Sequence, residues 1–130
     1  MQAPLILASQ SEIRAILLRN AGVTFDVLPA RIDEVAVLKS LIDEGASPRD
    51  IADTLAELKS AKISSKRPDA LVIGCDQVLD LGGEILVKPE NQDDAKAQLR
   101  RMRGKAHKLL SAVVLYQSGE PLWRHVGQVR

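Results

Sequence analysis

Leu5-Ile-Leu-Ala-Ser-Gln-Ser-Glu-Ile-Arg14 is a short apolar run that passes straight into small hydroxylic residues and then an amphipathic stretch. That pattern predicts a buried strand over residues 4–9 feeding directly into a helix. The first backbone N–H groups of such a helix have no internal partner and form an anion site. Ser9, Ser11 and Arg14 stand where they could complete it. The same residues also fit a purely structural pattern. In Ser9-Gln-Ser-Glu12 a capping box would let Ser9 and Glu12 satisfy helix-end groups reciprocally, with the helix running from about Ser9 to Asn20. Spacing alone leaves phosphate binding and capping both open.

Working outward, Ile13, Leu17 and Leu18 supply the helix's apolar face, and Gly22 follows its end. Thr24 to Leu28 reads as a second strand, and Val35 to Gly45 as a short helix. Ser47-Pro-Arg-Asp50 is a strong helix start, with cap, first-turn proline and acid in place. That helix is expected to reach about Ser64, with Ile51, Leu55, Leu58 and Lys62 on one face. Ala70-Leu-Val-Ile-Gly-Cys75 is a continuous apolar run, as for a central strand buried on both faces. Gly82-Gly83 predicts a hairpin between Val78–Leu81 and Glu84–Val87. Asn91 caps a further helix, with Asp93 and Asp94 in its first turn and Gly104 after its end. Lys108 to Leu115 and Leu122 to Val129 close the order as two strands. The reading is a single α/β domain over residues 1–130, with Arg130 falling in mid-strand, as in an unfinished domain.

Composition narrows the classes. The 130 residues allow one sizeable core, and 45% hydrophobic with 27% charged residues is ordinary for a globular protein. No apolar run approaches the ~20 residues that span a bilayer. Met1 to Leu7 lacks the basic region of a secretory leader. Cys75 is the single cysteine, which points to a reducing cytoplasm. A net charge of +1 makes no case for nucleic-acid binding, and 2% aromatic residues build no stacking platform. The basic group Lys96, Arg100, Arg101, Arg103, Lys105 and Lys108 reads as a solvated face.

Among residues that could carry chemistry, Asp76 stands out. It follows the apolar run at the carboxyl end of the presumed central strand, the edge where open α/β sheets bind ligands. The alternative is a carboxylate capping the next turn. Asp33 and Glu34 read either as surface charges or as help for Asp76 in holding a hard cation such as Mg²⁺. Lys59 and Lys88 read as a stripe-edge lysine and a turn lysine, or as point charges for phosphate oxygens. His107 and His125 lack zinc-ligand spacing, and Cys75 reads as a small buried residue.

Five segments then fall into one register. They are Leu7-Ala-Ser-Gln-Ser-x-x-Arg14, Ile32-Asp-Glu34, Leu55-Ala-x-x-Lys59, Gly74-x-Asp-Gln-Val78 and Gly83-Glu-Ile-Leu-x-Lys-Pro89, with Gly104-x-x-His107 continuing the match. In order and spacing they resemble the Maf family of cytoplasmic nucleoside triphosphate pyrophosphatases. The resemblance implies an elongated mixed β-sheet flanked by helices, shared with inosine triphosphate pyrophosphatases, with a cleft between two lobes. It implies hydrolysis of a nucleoside triphosphate to monophosphate and pyrophosphate with Mg²⁺ or Mn²⁺, homodimers, and links to septum formation and to cleansing nucleotide pools. It implies Asp76 as proton acceptor, Glu34 with Asp76 at the metal, and Ser9, Ser11, Arg14, Lys59 and Lys88 on the substrate. The C-terminal third of the family pattern lies outside the chain, so the second lobe is expected to be incomplete.

Two positions bear on specificity. Ile13 replaces an arginine and Glu12 a proline of the family's first-helix motif, and Gln77 follows Asp76 where threonine is common. The glutamine resembles the branch acting on 7-methyl-GTP. The expectation is therefore a nucleoside triphosphate pyrophosphatase. Its alternatives are a 7-methyl-GTP pyrophosphatase and a non-catalytic nucleotide-binding protein that keeps the fold.

Overall fold

The computed structural model describes residues 3–130. Met1 and Gln2, the start of the stretch read as lacking a leader's basic region, lie outside the described residues. The elements in order are β1 (Leu5–Leu7), α1 (Glu12–Asn20), β2 (Asp26–Val27), α2 (Glu34–Asp43) and α3 (Pro48–Lys66). They continue with β3 (Leu71–Leu81), β4 (Glu84–Leu86), α4 (Gln92–Met102), β5 (Lys108–Gln117) and β6 (Glu120–Val129). The strands form a six-stranded mixed sheet of order β2-β1-β3-β5-β6, with β4 paired to β3 off that path. The pairs β1–β2 and β1–β3 are parallel, and the pairs of β3 with β4 and β5 and of β5 with β6 are antiparallel. The mixed sheet flanked by helices is the fold class that the resemblance implies.

β3 organises the molecule. β5 pairs along one edge of it from Val72 to Asp80. The other edge is shared: β1 takes Leu71 to Ile73 and β4 takes Leu79 to Leu81. Among the described residues, no strand pairs with that edge between Gly74 and Val78. The opening exists because β1 is short. Its last register partner is Ile73, and the chain then leaves the sheet at Ala8, whose N–H still bonds the Ile73 carbonyl.

The core lies between α3 and one face of the sheet. Ile51, Ala52, Leu55, Ala56 and Ile63 of α3 are buried against Val72, Val78, Leu110, Ala112, Val114 and Tyr116. Small residues bring α3 close. A Cβ on Gly74 would stand 2.2 Å from the Ala56 carbonyl oxygen and 2.7 Å from Ser60. Arg124 of β6 fastens the far end of this face, donating to Asp53 and Glu57 of α3 at 2.7 Å each.

Three expectations are corrected. α1 begins at Glu12, not Ser9, because Ser11 is its cap: the Ser11 hydroxyl accepts from the Arg14 N–H at 3.3 Å. The Ser9–Glu12 capping box therefore does not form. The buried stripe of α3 is rotated from the one expected, since the close approach of Ala56 and Ser60 to Gly74 turns Leu58 outward and Lys59 inward. Asp76 is not at the carboxyl end of its strand. β3 runs on to Leu81 in register with β5, so Asp76 is mid-strand, and it is the neighbouring β1 that ends.

Candidate active site

The open edge of β3 faces the junction between β1 and α1. Ser9 is buried just past β1, and its hydroxyl accepts from the Ser11 N–H at 3.1 Å and from Arg14 Nη1 at 3.4 Å. Arg14 reaches across from the first turn of α1 and donates to the Cys75 carbonyl at 3.3 Å. That carbonyl lies within the stretch of β3 that β1 leaves uncovered. A guanidinium has five donors, so most remain after these two bonds. Ser9 and Ser11 act here as acceptors toward N–H groups, which leaves each hydroxyl proton free to donate to an anion.

Lys59 closes the other side. Its ammonium lies 2.6 Å from Glu34 Oε1 and 3.0 Å from Asp76 Oδ1. Glu34 is brought there as the first residue of α2, whose cap is Asp33, accepting from the Ala36 N–H at 3.1 Å. Lys59 and Asp76 are both buried, while the Glu34 side chain is half-exposed. Burial pulls the Lys59 pKa down, but hydrogen bonding and charge from Glu34 and Asp76 outweigh it, so the ammonium is held above its ordinary value. For Asp76, burial raises the carboxyl and Lys59 opposes it, and burial wins. Asp76 is thus a carboxylate that takes a proton more readily than a solvated one. Burial also pushes the Cys75 thiol up, which keeps it protonated and unreactive.

Ser9, Ser11, Arg14, Glu34 and Lys59 line a cleft of about 490 Å³ together with Gln10, Arg31 and Val35. Asp76 does not border this cleft; it is bonded to the cleft's Lys59. Asp76, and again Ser11 and Arg14, border a second groove of about 590 Å³ on the other face of the sheet, lined by Ile13, Leu17, Ile73, Gln77, Ser111 and Val113. Lys88 is not gathered in. It lies exposed in the connection after β4 and borders neither space. Among the described residues, no group of three or more His, Cys, Asp or Glu side chains is placed to hold a metal.

The Maf-like protein family model matches residues 4–130. The chain belongs to the Maf-like family. It is 59% identical over 130 residues to the nucleoside triphosphate pyrophosphatase of Ruegeria sp. (strain TM1040), covering all of this chain and 65% of that relative. It is 51% identical over 126 residues to the 7-methyl-GTP pyrophosphatase of Brucella abortus biovar 1 (strain 9-941), covering 97% of this chain and 63% of that one. The chain thus spans just under two thirds of the length of these curated relatives. A solved structure of the Staphylococcus aureus Ham1 protein superposes with a TM-score of 0.58 at 12% identity, over 96% of this chain and 68% of that one, a likeness of fold.

For this Maf-like chain, the gathering of Ser9, Ser11, Arg14, Glu34 and Lys59 around one cleft, with Asp76 bonded to Lys59, is tertiary in origin. They come from β1, α1, α2, α3 and β3, far apart in sequence. Two contributors were invisible in the sequence. The Cys75 carbonyl anchors Arg14 only because β1 stops short of it. Ser111 meets Gln77 only through the β3–β5 register, where the Gln77 amide donates to the Ser111 hydroxyl at 2.9 Å. Alternation of Leu110, Ala112 and Val114 with Ser111 and Val113 marks which face Ser111 is on. Nothing in it marks Gln77 as the partner.

Proposed function

We propose that this chain carries the triphosphate site of a nucleoside triphosphate pyrophosphatase. The observation that carries the reading is the Lys59 ammonium held between Glu34 and Asp76, beside the Ser9–Ser11–Arg14 corner. A triphosphate laid along that opening meets two hydroxyl donors and a guanidinium at one end and an ammonium at the other. These are fixed donors for charge that grows on the leaving group. In the step, a water oxygen bonds to the α-phosphorus as the bridging bond to the β-phosphate breaks. The water's proton passes to Asp76, and pyrophosphate departs on Arg14 and Lys59. A carboxyl raised by burial suits that proton transfer.

Glu34 and Asp76 share one cation already, Lys59, so their oxygens converge on a point. Two such carboxylates with phosphate oxygens fit Mg²⁺ or Mn²⁺, which take few protein ligands when phosphates are present. A divalent cation bound there would neutralise phosphate oxygens. The reading extends to a cytoplasmic homodimer with no nucleic-acid or membrane partner. No helix among the described residues is long and apolar enough to cross a membrane.

Release of pyrophosphate from nucleoside triphosphates with Mg²⁺ or Mn²⁺ tests the reading. Asp76→Asn is expected to lower the rate ~10²–10⁴-fold. Turnover untouched by that change would remove Asp76 from the mechanism. Gln77 and the 7-methyl-GTP relatives favour one narrower substrate, and a rate preference for UTP or dTTP over 7-methyl-GTP would discard it. Glu12 and Ile13, where the family motif has proline and arginine, favour a second reading, a site that binds nucleotide without turnover. Calorimetry showing saturable binding with no product would establish it.

A further inference from the structure

Gln77 and Ser111 are directly opposed in the β3–β5 register, on the face of the sheet away from α3. Their side chains are joined: the Gln77 amide donates to the Ser111 hydroxyl at 2.9 Å. Both border the 590 Å³ groove, whose walls include Ile13, Leu17, Ile73 and Val113 and which Asp76 also borders. Ser11 and Arg14 border this groove and the polar cleft alike, so the two spaces meet at these residues. A flat apolar ring attached to a phosphate chain fits such a junction, with phosphates on the polar side and the ring between aliphatic walls. At the ring's edge the groove offers Gln77, an amide with its carbonyl acceptor and one N–H left free after the bond to Ser111.

An exposed glutamine is a poor reader by itself. Its side chain loses some of the largest rotamer entropy of any residue when it is fixed. Ser111 is placed to meet that cost before ligand arrives. We infer that Ser111 is a positioning residue for base recognition, holding the Gln77 amide over the groove so that it meets a nucleobase edge pre-ordered. This rests on the triphosphate reading above. It adds a residue that never touches the phosphates and acts only through Gln77. Fixing a recognition group in its bound geometry raises affinity by lowering the ordering cost, with no new contact required.

Calorimetric titration of the full chain with 7-methyl-GTP, UTP and inorganic tripolyphosphate separates the parts. Tripolyphosphate reads only the polar cleft. Ser111→Ala is expected to weaken the better-bound nucleotide about three- to tenfold, the scale of one neutral hydrogen bond, and to leave tripolyphosphate unchanged. Ser111→Thr, which keeps the hydroxyl, is expected to restore nucleotide affinity. In a Gln77→Ala background the Ser111→Ala change is expected to be silent, since its route is then gone. Nucleotide binding that is equal in wild type and Ser111→Ala overturns the inference and leaves the triphosphate reading standing. An equal loss for nucleotide and tripolyphosphate also overturns it, because Ser111 then acts on the fold. A wild-type chain that binds tripolyphosphate and nucleotide equally well overturns it too, since the groove then reads no base. Binding of none of the three ligands overturns both readings.

Discussion

Lys59 sits 2.6 Å from Glu34 and 3.0 Å from Asp76, a buried cation shared by two carboxylates from two other elements. Removing it leaves Asp76 buried without its opposing charge. Lys59→Met is therefore expected to destabilise the fold by about 3 kcal/mol, the scale of breaking a buried pair from one side. It should also raise the Asp76 pKa further, because burial would act unopposed, and a carboxyl titration by NMR checks this. The pH dependence follows from the directions. The Lys59 pKa is raised above 10.5, so its contribution is whole below pH 10.5 and is lost as pH climbs through the folded value. The Asp76 pKa is raised above 3.8, so the native state holds more protons than the unfolded one just above that pH. Stability from this group falls as pH rises through that window. Denaturant midpoints measured across pH should show the alkaline loss in the wild type and a shallower one in Lys59→Met.

α3 positions that lysine, and Gly74 lets α3 come close enough to do it. A methyl group on Gly74 would meet the Ala56 carbonyl oxygen at 2.2 Å and the Ser60 nitrogen at 2.7 Å. These are backbone atoms of a buried helix and cannot turn aside. Gly74→Ala is expected to push α3 outward and cost on the order of 3 kcal/mol, at the upper end of overpacking effects. The urea midpoint should fall with its slope unchanged. The same shift would part Lys59 from Asp76, so nucleotide binding should weaken as well. α1 shows the reverse relation between element and site. Because Ser11 caps the helix, Ser9 is free of the capping role and turns its hydroxyl toward Arg14. The element boundary thus releases Ser9 from the helix, while Ser11 both caps α1 and borders the cleft.

Across the whole molecule, Arg124 ties the β5–β6 hairpin to α3 through Asp53 and Glu57, and the Tyr116 hydroxyl adds a bond to Glu57 at 3.0 Å. The Arg124 hydrogen bond holds the Glu57 pKa below 4.5, against burial and with help from Tyr116. That contribution is present above pH 4.5 and is lost as pH falls through the folded value. Glu57→Gln is expected to flatten the acid limb of stability. The effect at neutral pH should be within about 1 kcal/mol, since Arg124 is substantially exposed. Acid titration of the folded fraction by circular dichroism checks it. Much of this architecture was legible in the chain itself. Ser47-Pro-Arg-Asp50, Gly82-Gly83 and Asn91 act through neighbouring backbone, so they announce α3, the β3–β4 hairpin and α4 locally. The continuous apolar run Ala70–Cys75 likewise announces β3. Ser9, Arg14, Glu34, Lys59 and Asp76 were legible as candidates by type and spacing. Only the folded chain could assign them, because ion pairing and burial depend on which segments meet across many residues. The length of β1 against β3 opened the edge at Cys75, and the close seat of α3 on Gly74 turned Lys59 inward. The β3–β5 register put Gln77 on Ser111, and the same distances left Lys88 in solvent. By itself the sequence determined the elements and the repertoire of charged groups. Tertiary structure alone decided which charges share a low-dielectric opening, since Coulombic coupling and desolvation act through space and not along the chain.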